Sequence, residues 1–123
     1  GVAPPASRYS HCVEVTDAAR WLYISGQVGV APDGVVRDGM EAQLDQCFAN
    51  IETALHAAML TKENLVKITV YATAGGALSL AAYRTRRDHW LGPQGHAPAG
   101  TYVVVSELAS PKFLVEVEAV AAD

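Results

Sequence analysis

The sequence is short of charge, of cysteine and of long apolar runs, and each shortage excludes a class of function. Only 18% of the 123 residues are charged, with 9 Lys and Arg against 13 Asp and Glu, a formal net charge of -4. Basic residues cluster only at Arg84, Arg86 and Arg87. Such a balance repels a phosphate backbone, so nucleic acid is a poor partner for this chain. No stretch approaches the ~20 continuous apolar residues of a spanning helix, and no charged-then-apolar leader opens the chain. No membrane association and a cytoplasmic location are therefore expected. The two cysteines, Cys12 and Cys47, form no Cys-x-x-Cys, and the four histidines form no pair at ligand spacing, so no metal is expected. Both cysteines read as small buried hydrophobes of a reducing compartment, Cys12 in a strand and Cys47 on the apolar stripe of a helix.

What is present points to one packed domain spanning residues 1–123. Half the residues are hydrophobic, and a chain of this length buries roughly two-thirds of its surface on folding without staples. Residues 1–10, with Pro4 and Pro5, read as an extended arm. Cys12–Val15 and Trp21–Ser25 suggest a first hairpin, and Val28–Val30 and Val35–Val36 flank the turn sequence Pro32-Asp33-Gly34. Apolar residues at Met40, Leu44, Cys47, Phe48, Ile51, Leu55 and Met59 trace one face of a helix. A strand at Leu65–Ala72 follows, then a turn at Gly75-Gly76 and a second helix from about Leu78 to Leu91. Strands at Thr101–Val105 and Phe113–Ala121 close the chain. That order predicts an α+β fold, a mixed sheet with two helices on one face. The other face then needs cover, and a second copy of the chain is the simplest source.

Three features could carry chemistry. In the last strand, alternation puts Glu116 and Glu118 on one face and Val115 and Val117 on the other. A carboxylate on such a face is either solvated or set at a cleft as a base toward water. In the second helix, Leu80, Arg84, Arg87 and Leu91 share a stripe, so two guanidinium groups interrupt an apolar row. Either they snorkel to solvent, or they line a cavity and hold an anion. His11 adjoins Tyr9 and Ser10 at the junction of arm and strand, whereas His56 and His89 fall on exposed helix faces.

Several pieces then stand in one order: Arg8-Tyr9-Ser10-His11, Ile24-Ser25-Gly26-Gln27, Gln43 with Asn50 and Leu55, Val66-Lys67-Ile68-Thr69-Val70-Tyr71, Pro98-Ala99, and the closing Val115-Glu116-Val117-Glu118-Ala119-Val120-Ala121. Together they resemble the RidA/YjgF family of reactive intermediate deaminases, also labelled L-PSP endoribonuclease-like. The resemblance implies a chorismate-mutase-like α+β fold assembled as a homotrimer, with clefts between subunits. It implies hydrolysis of small enamines and imines, such as 2-aminoacrylate, to ketoacids and ammonia without a cofactor. By that resemblance Glu116 assists the attacking water, Tyr9 and Ser25 line the cleft, and the Gly100, Thr101, Tyr102 stretch holds the substrate, Tyr102 through its backbone N–H. The chain departs from the family at one place: deaminase members carry an arginine after Pro-Ala to grip the substrate carboxylate, and here that position is Gly100. Arg84 and Arg87 stand where typical members carry an asparagine and a tyrosine. A grip moved to the second helix and supplied by a neighbouring subunit is the resulting expectation, with the substrate shifted away from 2-aminoacrylate. The alternatives are a non-catalytic trimer that binds a metabolite or partner and, more weakly, an endoribonuclease.

Overall fold

A computed structural model describes residues 1–74, 80–93 and 95–123. The Gly75-Gly76 turn and the Leu78 start of the second helix lie outside the described residues. Four strands, β1 (Trp21–Val28), β2 (Leu65–Thr73), β3 (Ala99–Val105) and β4 (Val115–Ala122), form one sheet in the order β1-β4-β2-β3. β4 is antiparallel to both neighbours, whereas β2 and β3 run parallel, so the sheet is mixed as expected. Helices α1 (Met40–Ala57) and α2 (Leu80–Leu91) complete the α+β architecture.

α1 forms where the apolar spacing places it, except at its end: the helix stops at Ala57, and Met59, expected on the apolar face, takes a positive φ and is exposed. Met40, Leu44, Cys47, Phe48, Ile51 and Leu55 are all buried, against Ile24, Ile68, Val70, Val115, Val117, Ala119 and Ala121 from three strands. Burying one such side chain is worth roughly 1.5–3 kcal/mol, so this stripe drives the packing. Phe48 also stacks on Trp90 of α2, with ring centroids 4.5 Å apart. Gln43 is the polar exception within the stripe. Its Nε2 donates to the carbonyls of Arg37 and Lys112, and its Oε1 accepts from the Leu114 N–H at 2.9 Å. With its hydrogen bonds met, the buried amide ties the approach to β4 onto the helix rather than destabilising the core.

The Pro32-Asp33-Gly34 turn forms as its composition requires. Gly34 takes a φ of 85°, a left-handed value that glycine adopts without strain, and Val30 bridges Val36. The first hairpin does not form. Residues 11–20 hold no strand, and Cys12 is exposed rather than buried. The reason is topological. Ser10 is bonded to the start of β3, with a parallel bridge to Ala99, while Trp21 opens β1 at the opposite edge of the sheet. The intervening chain must cross three strand spacings of about 4.8 Å each and cannot lie alongside β1. Cys47 sits buried on α1 as expected, and burial pushes its thiol up to about 12, with the charge of Glu116 adding to the shift.

Candidate functional site

The arm is pinned by its polar side chains, and this sets Tyr9. Arg8 Nη1 donates to the carbonyl of Gly92 at 2.6 Å, just past the C-terminal end of α2, where a cation is favoured. On the other side, Ser10 N–H donates to the Pro98 carbonyl and its hydroxyl to that of Ala97. Tyr9 is thereby fixed over the first residues of β3, and a Cβ added at Gly100 would lie 3.6 Å from its Cβ.

That contact is one wall of a cavity of about 190 Å³ lined by Ser7, Tyr9, Leu80, Tyr83, Arg84, Arg87, Gly100, Thr101 and Tyr102. Six residues that the sequence singled out thus meet in one place, Tyr9, Arg84, Arg87, Gly100, Thr101 and Tyr102. Both arginines face Gly100 within a single chain. The buried stripe of α2 is Tyr83, Arg87 and Leu91, rotated from the expected one, so that Leu80 is exposed and Arg84 half-buried. Arg87 is only 6% exposed; its Nε donates to Asp88 Oδ1 at 3.0 Å, and its Cζ lies 5.4 Å from the Tyr83 ring centroid. Burial holds the Tyr83 hydroxyl above its ordinary pKa against the opposing pull of Arg87, and burial also raises Tyr102. Tyr83 was missed in the sequence, although its place four residues before Arg87 was the available signal.

Glu116 and Ser25 stand elsewhere. Gly100 pairs with Ile68, which points to the helices, whereas Glu116 pairs with Tyr71, three residues further along the same strand. An odd offset inverts the face, so Glu116 lies on the side of the sheet away from the cavity. Alternation along β4 confirms it, with Val115, Val117, Ala119 and Ala121 buried and Glu116 and Glu118 half-buried between them. The open face carries Tyr23, Ser25, Lys67, Thr69 and Glu118 around a shallow hollow of about 360 Å³. Ser25 and Gly26 fall where the β1–β4 register shifts, a bulge that turns the strand locally. There a Cβ on Gly26 would come within 1.9 Å of Glu116 Oε2, so the Glu116 carboxylate rests where only glycine leaves room. Among the described residues no side chain pairs with that carboxylate. Its neighbour Glu118 accepts from the Tyr71 hydroxyl at 2.6 Å, a bond that raises the pKa of Tyr71.

Among the described residues no histidine lines either of these hollows. His11 Nε2 lies 2.6 Å from the Ala3 carbonyl and the ring meets Tyr9 edge-on, while His56 and His89 are exposed as expected. In a wider groove of about 800 Å³ between α1 and α2, several of the polar groups are already committed. Arg86 is held by Glu41 and Asp45, and Trp90 Nε1 donates to Glu52. No group of His, Cys, Asp and Glu among the described residues could hold a metal.

The profile of the family named Endoribonuclease L-PSP matches residues 1–123. The chain belongs to this family. A Yersinia pestis structure of unknown function from the conserved Rid family, YyfB, superposes on this L-PSP chain with a TM-score of 0.84 at 31% identity, covering 94% of this chain and 87% of that one. RidA from an Antarctic Psychrobacter superposes with a TM-score of 0.69 at 28% identity, over 98% and 92% of the two chains. A RutC family protein from Aquifex aeolicus is 41% identical over 70 residues, 56% of this chain. The match spans 54%, about half, of that relative. The L-PSP fold thus accounts for the mixed sheet and its two helices, and no described helix is long and apolar enough to cross a membrane.

Proposed function

We propose that this chain is a hydrolase of small reactive imines or enamines, in which water attack assisted by Glu116 releases ammonia and leaves a ketone or ketoacid. Family membership supports a small-molecule deaminase or endoribonuclease-like role, and the site favours the first. The observation that carries the reading is the Glu116 carboxylate, half-buried on the open sheet face, unpaired, and seated against Gly26. A carboxylate without a cationic partner keeps its lone pairs for a water, and a positioned base of this kind is worth roughly 10²–10⁴ in rate. Tyr9 and Ser25 are its partners in lining the cleft, and Arg84, Arg87, Gly100, Thr101 and Tyr102 bind the substrate. No cofactor enters the reaction.

Glu116 and the Gly100 cavity lie on opposite faces of one chain, which favours a site completed between subunits of a homotrimer, the open faces turned inward. A cytoplasmic, small-molecule enzyme fits the acidic, weakly charged surface. With Gly100 in place of the family arginine, 2-aminoacrylate is not the best substrate, because a charge-assisted fork on its carboxylate has been lost.

The test is ketoacid release from a panel of imines generated in place by an amino-acid oxidase. Glu116→Ala should lower release at least ~100-fold at unchanged folding. No release from any imine would sink the hydrolase reading and leave a trimer that binds a metabolite, the reading that Gly100 alone favours.

A further inference from the structure

The cavity beneath Gly100 contains a cation for which the fold supplies too few acceptors. Arg87 is 6% exposed, and although the Tyr83 hydroxyl lies near its guanidinium, its Nη2 is buried without a hydrogen-bond acceptor among the described residues. That atom lies 3.0 Å from Asp88 Oδ1, close enough for an ion pair but outside hydrogen-bonding geometry, and the same oxygen is already taken by Arg87 Nε. Native interiors leave few such groups unmet. The Tyr83 ring lies beside the guanidinium, its centroid 5.4 Å from Arg87 Cζ. Arg84, half-buried on the same cavity, has no hydrogen bond or ion pair among the described residues.

We infer that this cavity binds the acid group of a monocarboxylate, with Arg87 as the grip and Arg84 as the outer arm, and that the rest of the ligand is a planar or aromatic body. The charge count favours a single negative charge. Among the described residues two guanidinium groups are set against one neighbouring carboxylate, Asp88, which leaves one positive charge to be matched. The planar fork of an arginine suits a carboxylate in two-point contact. The body follows from the walls, since Tyr9, Tyr83 and Tyr102 bring three rings to one small space, and Tyr83 and Tyr102 lie 5.0 Å apart. Gly100 leaves that space open. Among the described residues the only atom within 4 Å of its missing Cβ is Tyr9 Cβ at 3.6 Å, so a side chain there would project into the cavity without disturbing the strand.

The anion site stands on this geometry, and only its description as a substrate site rests on the hydrolase reading. The probe is therefore a ketoacid that needs no turnover. Phenylpyruvate binding is measured by calorimetry, with pyruvate, inorganic phosphate and neutral phenylacetamide as comparisons. Phenylpyruvate should bind most tightly, and Arg87→Gln should weaken it roughly 10- to 100-fold, the loss of a charge-assisted contact. Gly100→Val should abolish binding while the far-ultraviolet spectrum stays that of the wild type, which decides the matter even where Arg87→Gln fails to fold. Phosphate or the amide binding as tightly as the acid would overturn the proposal, as would affinity unchanged in Gly100→Val or no acid binding at all. Binding retained without imine turnover would sink the hydrolase reading and leave this site, and turnover without acid binding would do the reverse.

Discussion

The two faces of the sheet are built from the same four strands, yet different pressures shaped them. Toward the helices, Ile24, Ile68, Val70, Val115, Val117, Ala119 and Ala121 are sealed against α1. Toward the open side, the alternate positions are Tyr23, Ser25, Thr69, Tyr71, Glu116 and Glu118, which hold hydroxyls and carboxylates, Tyr23 and Ser25 exposed and the other four half-buried. On the closed face a residue is judged by volume, because interiors are close-packed and felt to the methylene. On the open face it is judged by what it can bond. The difference means that a substitution on one face should change stability and on the other should change chemistry, with little overlap.

The largest effect that would test this separation lies at Phe48, which is 1% exposed and stacked on Trp90. Phe48→Ala should lose about 3–5 kcal/mol in urea unfolding through lost burial and an unfilled cavity. A loss below 1 kcal/mol would mean that α1 is not what seals the closed face. Next comes Gly26→Ala, which acts on the open face. The added Cβ would meet the far end of a flexible side chain, so Glu116 swings away at a stability cost of about 1 kcal/mol or less. Imine hydrolysis should nevertheless fall at least ~100-fold, because a displaced base no longer reaches its water. Equal losses of stability and activity would break the comparison.

The smallest effect separates the two thiols. Cys12 is exposed and Cys47 is buried, its pKa raised from 9.0 to about 12. A thiol reagent at pH 8 should modify one cysteine of the native chain and both after denaturation. The sign of the linkage follows, since the folded state holds the Cys47 proton more tightly than the unfolded chain. Its contribution to stability is complete below pH 9 and is lost as pH rises toward 12. Two thiols reacting in the native state would place Cys47 outside the sealed face.

Much of this was legible in the residue order. Spacing alone located α1 and the alternation of β4, because burial of a helical stripe or a strand face leaves a period in the chain. Pro32-Asp33-Gly34 announced its turn through one fixed and one permissive backbone position. The supposed hairpin before Trp21 failed because pairing depends on where the arm is anchored, and Ser10 is anchored at the far edge of the sheet. The role of Gly26 was invisible for a related reason: the carboxylate it seats comes from a strand 90 residues away.

The sequence by itself determined the two helices and the strands from Trp21 onward, the identity of the closed face, the family, and the list of residues from which a site could be made. Those are properties of local spacing and side-chain type. Only the tertiary structure decided how that list divides. It gathered Tyr9, Arg84, Arg87, Gly100 and Tyr102 into one cavity and set Glu116 and Ser25 on the other side of the sheet. Strand parity and the crossing of the arm made that division, and both depend on register between segments far apart in the chain, which no local pattern records.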